Sequence, residues 1–102
     1  MSRREKLETM LAATPDDPFL RYALAMAMAS EGDAAGAILR LEEMLQANPD
    51  YVAAYFQLAQ LQAGRGNAQA AKPVLTRGIE IARRAGDTHA EGEMRGFLEQ
   101  LP

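Results

Sequence analysis

Few side chains in this sequence could carry out acid–base or nucleophilic chemistry. The single histidine, His89, follows Thr88 and stands near Glu91, a grouping that could supply a general base. It has no cysteine and no obvious serine partner to activate, so a solvated position at the start of a helix is the better interpretation. The residue types and their spacing therefore give little support to an enzyme.

The acidic pairs also have structural explanations. Asp16 and Asp17 suit turn and helix-capping chemistry, and Glu42 and Glu43 suit the exposed side of a helix. There is no cysteine, so thiolate metal ligands and disulfides are unavailable, and no glycine-rich phosphate loop follows a strand. We therefore expect a protein without catalytic residues, metal or cofactor.

Composition and charge narrow the choice of partners. With 11 basic and 14 acidic residues the net charge is −3, which disfavours a nucleic-acid surface. The first residues are charged throughout, and no stretch approaches the roughly 20 apolar residues that span a bilayer. We expect a cytoplasmic protein that binds neither nucleic acid nor membrane.

Capping signals and helical spacing of apolar residues predict six helices and no strand. Ser2 with Glu5, and Thr88 with Glu91, fit capping boxes, and Asp50 is the expected cap of the fourth helix. Pro73 predicts a slight bend or a late start in the fifth helix. The predicted helices cover residues 3–13, 18–30, 34–47, 51–63, 68–84 and 88–100.

The sequence repeats itself at one period. Sliding the chain by 34 positions superposes residues of the same or similar type, which is the signature of a stacked repeat array. The coincident pairs are Pro15 with Pro49, Asp16 with Asp50, Leu24 with Leu58, Ala25 with Ala59, Gly32 with Gly66, Asp33 with Asn67, Ala37 with Ala71 and Leu41 with Leu75.

This pattern resembles the tetratricopeptide repeat, a helix–turn–helix unit of 34 residues. The resemblance implies an all-α, right-handed superhelix of antiparallel helix pairs, with two full repeats and a capping helix at each end. Arg21 and Tyr55 stand where the family often has tryptophan, and Arg83 replaces a proline. The implied single domain divides into an N-terminal cap (1–15), repeat 1 (16–49), repeat 2 (50–86) and a C-terminal cap (87–102).

The resemblance also implies a function, because the first helix of each repeat lines a concave groove that holds partner peptides. The family's Lys and Asn clamp for a terminal carboxylate is absent here. An apolar groove suits an amphipathic helix or an extended apolar peptide, so the expected function is that of a non-catalytic adaptor. The groove residues carried over by position are Phe19, Tyr22, Met26 and Ser30 from repeat 1, and Ala53, Phe56 and Gln60 from repeat 2.

Two alternatives compete with an open groove. Tyr22, Met26 and Phe56 could be core residues, with the terminal helices folded over them. A short array also leaves apolar ends, so the protein could be a homodimeric structural or regulatory subunit. The sequence thus predicts a protein or peptide partner, or a second copy of the chain.

Overall fold

The computed structural model describes all 102 residues and contains only helices and turns. The prediction of an all-α fold with six helices is confirmed, and helix bounds differ from the predicted ones by at most one residue. The helices are α1 (Arg3–Ala13), α2 (Pro18–Ser30), α3 (Ala34–Ala47), α4 (Val52–Gly64), α5 (Ala68–Ala85) and α6 (Thr88–Gln100).

The helices group into two compact units. Unit 1 is Met1–Pro49 and contains α1, α2 and α3; unit 2 is Asp50–Pro102 and contains α4, α5 and α6. Within unit 1, α2 packs against both α1 and α3. Within unit 2, α5 packs against both α4 and α6, and α4 also touches α6.

The turn inside each helix pair depends on one glycine. Gly32 ends α2 with φ 91° and Gly66 ends α4 with φ 79°, in the left-handed region that costs glycine little. The following residue then donates its backbone N–H to the carbonyl five residues earlier, from Asp33 to Met28 at 2.9 Å and from Asn67 to Gln62 at 3.0 Å. This bond satisfies a carbonyl that the helix end would otherwise leave unpaired. The same residue caps the next helix with its side chain, so three residues make the whole turn.

The starts of α4 and α6 differ from the predictions. The cap of α4 is Tyr51 rather than Asp50, and no side chain hydrogen-bonds to the exposed N–H groups there. The predicted capping box of Thr88 is wrong as well. Asp87, one residue before the predicted cap, caps α6 by accepting from the Ala90 N–H at 3.1 Å. Thr88 is instead the first helical residue.

Helix α5 is the longest, at 18 residues, for a reason visible in the sequence. Arg83 replaces the proline that stops α3 after Asn48, so nothing prevents another turn of helix before Gly86. The predicted late start is wrong, since α5 begins at Ala68 and Pro73 lies inside it. Pro73 removes one backbone donor, which in a regular helix would bond to the carbonyl of Gln69, and both residues are exposed.

The core is built from the residues that recur at the 34-residue period. Small side chains allow helices to approach closely, and the recurring alanines are all completely buried. The recurring leucines are at most 4% exposed, and each contributes roughly 1.5–3 kcal/mol of burial free energy. These residues are Ala25, Ala37, Ala59, Ala71, Leu24, Leu41, Leu58 and Leu75.

Candidate partner-binding faces

In unit 1 the predicted groove residues lie along one side of α2. Phe19, Tyr22 and Met26 are spaced by three and four residues, which places them on one helical face. The Phe19 side chain is 64% exposed, and Tyr22 and Met26 are partly exposed. Ser30 ends this face and is also exposed. We call this surface the α2 face.

In unit 2 the corresponding residues lie along α4. Ala53 and Gln60 are exposed, and Phe56 between them is half-buried. The Phe56 ring packs edge-on against Phe97 of α6, with ring centroids 5.7 Å apart and planes at 75°. This geometry is favourable for aromatic pairs, so α6 covers part of Phe56. We call this surface the α4 face.

A cleft of about 260 Å³ opens beside the α4 face, between the first turns of α4 and α6. Its walls are mostly apolar, and its charged side chains come from the start of α6. The sequence drew attention to Phe56 but not to the acidic residues beside it, because α6 is only loosely related to the repeat. The lining residues are Val52, Ala53, Phe56, Gln57, Asp87, His89, Ala90 and Glu93.

A second cleft, of about 390 Å³, lies in unit 1 and was missed by the sequence reasoning. It contains two arginines, Arg21 and Arg40, neither of which forms an ion pair. One signal did point to it: Arg21 occupies the position of the buried Tyr55 one period later. The other lining residues are Glu8, Leu11, Ala12, Pro15, Leu24 and Glu43.

Two carboxyl groups away from these clefts have a lowered pKa. The pKa of Glu5 is lowered mainly by the Ser2 backbone N–H, which donates to Oε1 at 2.9 Å, and then by the Ser2 hydroxyl. In α5, hydrogen bonds from Arg83 lower the pKa of Glu80, with a smaller contribution from Arg84. Glu5 belongs to the capping box of α1, and Glu80 forms ion pairs on the surface of α5. Both residues lie outside the α2 and α4 faces.

The structure places the histidine in solvent. The His89 side chain is 86% exposed, and its Nε2 lies 3.3 Å from Glu93 Oε1 on the next turn. No group of three or more His, Cys, Asp or Glu residues is arranged to hold a metal ion. No helix combines the length and the hydropathy that crossing a membrane requires.

Antiparallel helix pairs, glycine turns and a core that recurs with the period define a helical-repeat protein. The sequence matches the tetratricopeptide repeat family over residues 28–90, and the chain belongs to that family. The resemblance predicted from the spacing is thereby confirmed. No curated protein matches the chain.

Solved structures agree with this assignment. The chain is similar to a tetratricopeptide repeat domain protein from Salinibacter ruber, with 32% identity in both its solution and crystal structures. The solution structure has a TM-score of 0.80 and is matched over 84% of this chain and 87% of its own. The crystal structure has a TM-score of 0.78, with 82% and 93% covered. A protein from Bordetella parapertussis is 28% identical, with a TM-score of 0.85 over 98% of this chain and 87% of its own.

Tetratricopeptide repeats are in general protein–protein interaction modules and are typically non-catalytic. A fold of this kind indicates the class of function, whereas the partner depends on the side chains that the faces present.

Proposed function

We propose that this protein is a non-catalytic cytoplasmic adaptor that binds a peptide or helix of a partner on its α2 and α4 faces. The observation that carries the proposal is Phe19, whose large apolar side chain is 64% exposed in line with Tyr22 and Met26. Aromatic and methionine side chains in such a row are the kind that an amphipathic helix or an apolar peptide covers.

The test begins with a library of displayed peptides from which binders of the wild-type protein are selected. The best binder is then measured against Phe19→Ala by fluorescence anisotropy. Removing a central aromatic anchor typically costs about 2 kcal/mol, so binding should weaken by roughly thirtyfold.

Leu39→Ala is the matched control. Leu39 is 59% exposed, on α3 rather than on α2, so it removes a similar apolar surface elsewhere in unit 1. Both variants should keep the helical circular dichroism of the wild type because neither side chain is buried. Equal affinity of wild type and Phe19→Ala, or a loss confined to Leu39→Ala, would contradict the proposal.

The homodimer alternative gives a different result in the same variants. If the α2 face packs against a second copy, sedimentation equilibrium of the wild type shows a mass that rises with concentration. Phe19→Glu then restores the monomer, while Leu39→Glu leaves the mass unchanged. A concentration-independent monomer excludes this alternative.

A further inference from the structure

The residues that line the cleft between α4 and α6 indicate which kind of partner side chain it would bind. We infer that it receives a lysine or arginine side chain of the bound peptide, flanked by apolar residues. This inference rests on the proposed function, because Ala53 and Phe56 belong both to the α4 face and to the cleft.

The walls suit the aliphatic part of such a side chain. Val52, Ala53 and Phe56 contribute apolar surface from α4, and Ala90 contributes it from α6. Lysine and arginine bury their methylene chains on surfaces of this kind and keep the charged group in water. At about 260 Å³ the cleft has room for a side chain rather than for a whole helix.

The charge at the rim selects a cation. Asp87 and Glu93 line the cleft, and no lysine or arginine does. The nearby arginines have other partners, since Arg83 and Arg84 pair with Glu80 and Arg95 pairs with Glu91.

Two local features could offset this negative charge, and neither removes it. The positive end of the α6 helix lies at the cleft, but Asp87 is its cap and carries a full negative charge. His89 contacts Glu93 from a position that is 86% exposed, so an incoming cation can displace it without disturbing the core.

The experiment compares three acetylated and amidated pentapeptides in titrations followed by amide NMR shifts. The first is Ala-Leu-Lys-Leu-Ala, the second has norleucine in place of lysine, and the third has glutamate. Norleucine keeps the aliphatic chain and removes only the cation. We expect the lysine peptide to bind best and to shift the amides of Val52, Phe56 and Ala90.

Two variants remove the acidic charge with little effect on the fold. Asn is as good a helix cap as Asp, so Asp87→Asn keeps the hydrogen bond to the Ala90 N–H. Glu93→Gln keeps the size of an exposed side chain. Glu99→Gln, on the exposed end of the same helix and outside the cleft, is the control.

Exposed ion pairs are modest, so Asp87→Asn/Glu93→Gln should weaken lysine-peptide binding about fivefold to tenfold. The same double variant should leave norleucine-peptide binding unchanged. Glu99→Gln should leave both affinities unchanged.

The outcomes separate this inference from the proposed function. If lysine and norleucine peptides bind equally and Phe19→Ala still weakens the peptide selected from the library, the inference is wrong and the proposed function stands. The inference is also wrong if the lysine peptide shifts amides elsewhere, or if none of the three peptides binds at millimolar concentration. Failure of the library selection would contradict the proposed function itself.

Discussion

The two units hold their terminal helices, α1 and α6, through different kinds of interaction. Helix α1 of unit 1 has no buried residue, and Arg4 links it to the α2–α3 turn through Glu31 at 3.5 Å and Asp33 at 3.6 Å. Helix α6 of unit 2 buries Met94 completely and packs Phe97 against Phe56. Exposed ion pairs are worth about 0–1 kcal/mol each, less than a buried side chain contributes. We therefore expect α1 to open first.

The interiors differ as well, at positions one period apart. Unit 1 has Met44 fully buried, whereas unit 2 has Gly78 at that position, with Tyr55 and Met94 close against its backbone. Unit 1 has the partly exposed Arg21 where unit 2 has buried Tyr55. A repeat can thus fill its core from different positions, provided that a large residue at one is matched by a small residue at another.

The largest predicted loss of stability comes from truncating Met44, the buried residue of unit 1. Met44→Ala removes most of a completely buried side chain, and we expect the free energy of unfolding to fall by about 2–5 kcal/mol. Urea unfolding followed by circular dichroism measures the loss. A change below the effect of an exposed substitution such as Leu39→Ala would show that the core closes around the missing side chain.

Adding a methyl group at Gly78, the corresponding position of unit 2, should also lower the free energy of unfolding, by a smaller amount. A Cβ atom on Gly78 would lie 2.6 Å from the Tyr55 Cβ and 2.7 Å from the Met94 Sδ, so neighbouring side chains must move. We expect Gly78→Ala to cost about 1–3 kcal/mol despite alanine's better helix propensity.

Gly92→Ala is the control for that substitution. Gly92 is also helical but has no atom within 4 Å of an added Cβ, so alanine should stabilise unit 2 by about 0.5–1 kcal/mol. Thermal unfolding of the two variants should therefore shift in opposite directions. Stabilisation by both would mean that helix α5 has free space beside Gly78.

A third difference concerns a polar atom in the core. Gln62 is 7% exposed and its Oε1 has no hydrogen-bond partner, while unit 1 has Met28 one period earlier. Because an unpaired buried acceptor is unfavourable, Gln62→Met should stabilise the protein by about 1 kcal/mol. A loss of stability in urea unfolding would indicate that the amide makes an interaction in solution that methionine cannot replace.

Acid should affect α1 more than α5. The folded-state pKa values of Glu5 and Glu80 are both lowered, so their contributions are present at neutral pH and are lost as the pH falls through those values. Protonated Glu5 opens the capping box of a helix with no buried residue, whereas α5 buries six residues around its surface pair. The protection of backbone amides from hydrogen exchange, relative to their intrinsic rates, should therefore fall in α1 at pH values below the usual pKa of glutamate. It should change little in α5. Glu5→Gln, which keeps an acceptor for the Ser2 N–H but does not titrate, should abolish the acid dependence in α1. Persistence of that dependence would assign it to another carboxyl.

Most of the fold could be predicted because it depends on local rules that repeat. Glycine turns and side-chain caps can be predicted from a single sequence, and here the turn glycine and the capping residue recur after 34 residues. The errors concern helix starts. Tyr51 precedes α4 without a side-chain capping bond, Asp87 caps α6 where Thr88 was expected, and α5 begins at Ala68 despite Pro73. The length of α5 was predicted to within one residue, and the absence of a proline at position 83 explains why this helix is longer than α3.

The candidate site was less accessible to prediction. The 34-residue period relates Tyr22 to Phe56, and helical spacing places Phe19 on the same face as Tyr22. The exposure of these side chains, however, depends on which other helices cover them. Phe19 is 64% exposed, whereas Phe97 covers part of Phe56 from a helix outside the two repeats. The clefts form where side chains from separate helices meet, and spacing along one helix contains no information about that meeting.

The length of α5 has a consequence for how the gene can change. From the start of α2 at Pro18 to the start of α4 at Val52 is 34 residues, and from there to the start of α6 at Thr88 is 36. Duplication of a 34-residue coding segment ahead of α5 preserves the spacing of caps and turns. A segment added after α5 would begin two residues out of phase with the rest. Internal copying of 34 codons ahead of α5 would therefore keep the period, whereas copying across α5 would carry its two extra residues into each new repeat.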